Sequence, residues 1–130
     1  MDEALREVLR ADPRVAFALV FGSVARGEAT PHSDLDVAIG LTPAASFDAN
    51  DVGAMVAALE SATQCDVDLV IVNEAPSPIA YRIFRDGRLI FEADRKTRVE
   101  LQTRAILEYL DFKWVEDMCT RGVIEAAARG

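Results

Sequence analysis

Seven consecutive apolar residues, Val15 to Phe21, stand between Pro13 and Gly22. The run is far too short for the 18 or so residues of a membrane span, and its length and bounding residues are those of a buried strand. Leu35 to Leu41 is a second apolar run whose first residues alternate with carboxylates, and Val67 to Val72 makes a third. Arg88 to Glu92 is a short fourth strand.

Helices account for most of the rest. Leu5, Val8 and Leu9 recur at helical spacing between Asp2 and Arg10, and Asp12-Pro13 stops that helix. Asp48 to Ala62 is Ala-rich and amphipathic. Ser77-Pro78 reads as an N-cap followed by proline at the first helical position, with Asp86-Gly87 as the stop. Between Asp94 and Ala128, Leu107, Leu110, Trp114 and Met118 form one apolar stripe, and Phe112, Val115, Cys119 and Val123 a second. That arc is wide for a helix covering one sheet face, so it is either core throughout or a surface for a partner or for self-association. Gly122 ends or bends the helix.

The chain has 130 residues, one domain's length, and shows neither repeats nor a linker. Its 22 acids against 14 bases give −8, and the excess lies in the first 75 residues. A chain so charged lacks a general footprint for nucleic acid, which needs a basic surface; its acidic part suits cations instead. Met1 to Pro13 carries no readable signal peptide, and a cytoplasmic location without membrane attachment is expected. Cys65 and Cys119 are far apart and His32 is the sole histidine, so no Cys/His zinc site can be built within one chain. Both thiols read as buried core residues.

The chemistry concentrates where the first strand ends. Gly22 lets a phosphate approach the main chain, and Ser23 adds a hydroxyl donor at the start of a turn or helix. Gly22 and Gly27 have the outer spacing of a P-loop, but Glu28 stands where the lysine should be. Asp34 and Asp36 then open a strand, and residues two apart on a strand share a face. At about 7 Å and an effective dielectric near 20 such carboxylates repel by roughly 2 kcal/mol, which a solvated edge or a bound cation relieves. Asp68 is a third acid on another apolar strand. Asp66 has the same parity and competes with it; Asp68 is favoured because it directly precedes the uninterrupted apolar run. Hard oxygen donors favour Mg²⁺ or Mn²⁺. A phosphate cradle beside such carboxylates is the layout for two-metal phosphoryl or nucleotidyl transfer. The competing reading makes Asp34 a turn residue and Asp36 and Asp68 solvent-facing strand residues. Chance produces Gly-Ser, ten residues, then Asp-x-Asp in roughly one chain of this length per thousand, which favours the metal-binding reading.

Gly22-Ser23, ten residues, then Asp34-Leu35-Asp36 resembles the active-site motif of the polymerase-beta-type nucleotidyltransferase superfamily. Gly-Ser-x-Ala-Arg-Gly and Ser33-Asp34-Leu35-Asp36, with the Asp68 strand, the Arg85-Asp86-Gly87 turn and Tyr109-Leu110-Asp111, resemble the minimal nucleotidyltransferases, and among them the MntA-type antitoxins encoded with HEPN-domain RNase toxins. The resemblance implies one minimal nucleotidyltransferase domain over residues 1–130. Its fold class would be α+β, a mixed β-sheet of about four strands flanked by helices, with a long C-terminal helix. It also implies ATP as substrate and two Mg²⁺ ions. Gly22 and Ser23 would hold the triphosphate, with Arg26 and Ser33 beside it. Asp34 and Asp36 would bridge the metals, and Asp68 would hold the catalytic one and accept the acceptor's proton. Arg26 has a second use open to it, an ion pair with Glu28 or an aspartate. The implied reaction is AMP transfer onto a hydroxyl of the toxin, a tyrosine above all. Two other readings remain: a steric antitoxin with an idle nucleotide site, and a transferase acting on a small molecule such as an antibiotic. A neighbouring frame encoding a HEPN protein would favour either antitoxin reading over the last.

Overall fold

A computed structural model describes residues 1–22 and 34–120 of the chain. Strand β1, Val15–Phe21, is antiparallel to β2, Leu35–Leu41, and to β4, Arg88–Glu92. β2 is parallel to β3, Val67–Ile71, so the described sheet is mixed with the order β3-β2-β1-β4. β1 and β2 are central and nearly continuous in apolar residues because both of their faces are covered. The parallel pair needs a crossover, supplied by helix α2, Ala49–Thr63. Its start is closed by a reciprocal box: the Asp51 amide donates to Asp48 Oδ1 at 2.8 Å and the Asp48 amide to Asp51 Oδ2 at 2.9 Å.

Alternation along the strands sorts the core into two layers. On one face Val20, Leu35, Val37, Ile39 and Ile90 pack with Leu59 of α2 and with Leu5 and Leu9 of helix α1, Asp2–Arg10. On the other, Phe17, Leu19 and Ala38 pack under Ala80 and Ile83 of helix α3, Ser77–Asp86, and under Leu101 and Ala105 of helix α4, Arg95–Thr120. Gly40 leaves room for the Phe17 ring, which fills the space where a Cβ would stand.

Several local expectations need correction. A 3₁₀ turn, Val72–Glu74, takes the last residue assigned to the third strand. In this turn Asn73 bonds Leu41 with both ends of its amide: the Leu41 amide donates to Oδ1 at 2.8 Å and Nδ2 donates to the Leu41 carbonyl at 3.2 Å. Pro76, not Ser77, occupies the cap position of α3, without a side-chain cap bond. Gly87 ends α3 with negative φ; its small size matters because a Cβ there would overlap the Ile83 carbonyl.

The two thiols are not both core. Cys65 is half-buried at the edge of the first layer, and Cys119 is exposed because α4 outruns the sheet. Beyond Ala105 the described residues of both predicted stripes are exposed apart from the half-buried Met118, with Trp114 61% exposed and Leu107 58%. Tyr109 stacks on Tyr81 of α3 with ring centroids 3.9 Å apart. Gly122 and Val123 lie outside the described residues. Among the described residues, no helix is long and apolar enough to cross a membrane.

Candidate active site

The chain changes character at the last residue of β1. Gly22 has φ +75°, a conformation that costs a residue with a Cβ about 1–2 kcal/mol. A Cβ built there would also overlap the Asp36 carboxylate. Glycine is therefore required twice, by backbone angle and by space.

Asp36 sits in β2 as the antiparallel partner of Phe21 and the parallel partner of Asp68 in β3. Direct partners in a sheet share a face, here the one covered by α3 and α4, so the two carboxylates are lateral neighbours. Asp36 is half-buried and Asp68 exposed. Strands lie about 4.8 Å apart, and two negative charges at that distance repel by roughly 3 kcal/mol at an effective dielectric of 20. A cation is the natural complement of such a pair.

β2 opens at Leu35, so Asp34 stands just outside the strand and is exposed. Asp36 and Asp68 come together across the β2–β3 pair. Asp66 precedes β3; its carbonyl accepts a 2.8 Å bond from the Leu35 amide, and its exposed side chain is not in register with Asp36. Ser23, Arg26 and Ser33 lie outside the described residues, as do Glu28 and His32. The donor set, aspartate oxygens alone, suits a hard divalent cation. Among the described residues, no three His, Cys, Asp or Glu side chains are gathered to hold an ion. Asp36 and Asp68 make a pair, with Asp34 two positions upstream.

Beside Gly22 is a cleft of about 250 Å³ lined by Phe21, Gly22, Ile79, Arg82, Ile83 and Asp86. Sequence reasoning missed Arg82. Its signal was the spacing of Ile79, Arg82, Ile83 and Asp86 on one face of a helix, but nothing in the sequence tells which end of the sheet that face meets. A larger cleft, about 690 Å³, lies between α1 and α2 at the far end of β1. Its Arg14 is already paired with Asp12 at 2.9 Å and Asp51 at 3.1 Å, and lies over the Phe47 ring. The Arg14 side chain holds Asp12 below the usual carboxylate range.

Fold and site together define a nucleotidyltransferase. The family model for polymerase beta, nucleotidyltransferase, matches residues 3–96, and the chain belongs to that family. No curated protein sequence matches it. Among solved structures it is similar to a chain of a toxin–antitoxin structure with AMP-PNP, with a TM-score of 0.76, 21% identity and coverage of 99% of this chain and 98% of that one. A second is a chain of a rebuilt structure of tri-AMPylated Shewanella oneidensis HEPN toxin in complex with MNT antitoxin, with a TM-score of 0.68, 19% identity and both chains covered over 100%. These two likenesses are of fold. A third is a candidate minimal nucleotidyltransferase at 31% identity and a TM-score of 0.55, over 66% of this chain and 89% of that one.

Proposed function

We propose that the chain is one minimal nucleotidyltransferase domain, residues 1–130, that transfers AMP from ATP to a hydroxyl of a HEPN-type RNase toxin, a tyrosine above all, and so acts as its antitoxin in the cytoplasm. The observation that carries the reading is the Asp36–Asp68 pair directly beside the left-handed Gly22. Gly22 and Ser23 hold the triphosphate, with Arg26 and Ser33 alongside. Asp34, Asp36 and Asp68 are the residues that would hold Mg²⁺. When bound, Mg²⁺ or Mn²⁺ neutralises phosphate charge and polarises the α-phosphate.

The chain's own residues orient and move the proton. With the triphosphate fixed at Gly22, the acceptor hydroxyl approaches along the exposed β3 side, where Asp68 takes its proton. The oxygen bonds to the α-phosphorus, the bond from that phosphorus to the bridging oxygen breaks, and pyrophosphate leaves. The structural relatives support the partner: one is a toxin–antitoxin structure with AMP-PNP, and the other an MNT antitoxin in complex with a tri-AMPylated HEPN toxin. The exposed apolar length of α4 gives such a partner a place to dock.

The reading is tested by incubating the protein with ATP labelled in its α-phosphate, Mg²⁺ and a HEPN protein encoded beside it. Label on the HEPN protein is expected. Label on a small molecule alone would overturn the choice of acceptor.

A further inference from the structure

We infer that Arg82 binds the phosphate tail of the nucleotide, the segment that leaves as pyrophosphate; the inference rests on the nucleotidyl-transfer reading of the site. Arg82 lines the cleft that also contains Gly22. A glycine at positive φ presents main chain rather than side chain to that space. Three residues on, the Arg85 guanidinium is spent on Asp86, with two bonds of 2.9 Å, and lies 5.7 Å from the Tyr81 ring centre. That pairing offsets the carboxylate in the cleft wall. Arg82 itself makes no hydrogen bond, ion pair or ring contact within the chain among the described residues. A charged fork on a rigid helix, turned to a concave space and unengaged, is suited to a polyanion.

Size narrows the ligand. At about 250 Å³ the cleft falls below the roughly 300–1,000 Å³ of pockets that enclose a whole small ligand. It takes part of a nucleotide, and the cation selects the phosphates. Negative charge grows on the departing pyrophosphate as the α-phosphorus is attacked, so Arg82 contributes more as the reaction proceeds.

The test is binding of ATP, AMP and pyrophosphate, with Mg²⁺, to the full chain and to Arg82→Gln and Arg82→Lys. Arg82→Gln is expected to weaken ATP and pyrophosphate at least about tenfold while AMP changes less than about twofold. Lysine should recover part of the loss, with melting temperatures unchanged. Equal loss for AMP and ATP, or a variant that melts much lower, would make Arg82 structural and overturn the inference. Unchanged ATP affinity in Arg82→Gln, with the parent binding ATP normally, would overturn it and leave the transfer reading standing. A parent that binds no ATP would overturn both.

Discussion

Asp36 is the residue on which most depends, because it is in contact range of Gly22 and in register with Asp68. Asp36→Asn removes one of two neighbouring negative charges without changing volume, so the chain should still fold while AMP transfer falls by at least about a hundredfold. Thermal melting and a transfer assay on one preparation check both halves; near-normal transfer would remove Asp36 from the metal site. Gly22→Ala should fail differently. A methyl group there adopts a strained backbone angle and collides with the Asp36 carboxylate, costing about 1–2 kcal/mol from the angle alone. Its melting temperature should fall along with transfer, and an unchanged melting temperature would contradict the geometry. The break at Gly22 and the position of Asp36 on β2 were readable in the sequence because both follow from local rules: a glycine after a buried strand, and an apolar run that alternates with acids at its start. The pairing of Asp36 with Asp68, and of Arg82 with Gly22, follows from strand order and helix docking. Neither is a property of any short segment.

At the scale of elements, the strands were legible because short apolar runs between breakers leave few choices, and the long C-terminal helix was legible too, whereas the part of it that is buried was not. Its two stripes look alike in sequence, and only the reach of the sheet determines that Leu101 and Ala105 are buried while Leu107, Leu110 and Trp114 are not. For the same reason Cys119, read as core, is exposed. Trp114→Glu should leave melting and ATP binding unchanged while weakening the complex with the toxin by tenfold or more; calorimetry or size-exclusion chromatography would show it, and a fully retained complex would remove α4 from the interface. The start of α4 has its own pH signature. Asp94 Oδ2 accepts a 2.7 Å bond from the Thr97 hydroxyl and Oδ1 a 3.2 Å bond from its amide. These bonds, the hydroxyl's first, hold Asp94 below its ordinary value of 3.8. A depressed carboxylate stabilises the fold above the unfolded value and loses that contribution as pH falls through the folded one. Asp94→Ala should therefore melt lower than the parent at pH 7, and the gap should narrow as pH falls below the ordinary carboxylate value of 3.8. A gap that persists in acid would assign the effect to something other than the charged cap.

On the scale of the whole molecule, the layout divides labour between the two faces of one sheet. α1 and α2 seal one layer, where Arg14 pairs with both Asp12 and Asp51. The other layer lies under α3 and the first part of α4, and the same face of the sheet carries the carboxylate pair and the Arg82 cleft. A net charge of −8 makes the surface a poor match for RNA and a better one for a basic, RNA-binding protein. An AMP placed on such a protein adds bulk and negative charge where phosphates would approach. On the proposed reading, neutralisation is this covalent transfer. Intact-mass spectrometry of the toxin after incubation with the protein, ATP and Mg²⁺ tests it most directly. AMP-sized increments that need Mg²⁺ and disappear with Asp34→Asn and Asp36→Asn are predicted; a toxin neutralised without any change in mass, undiminished in both variants, would contradict it.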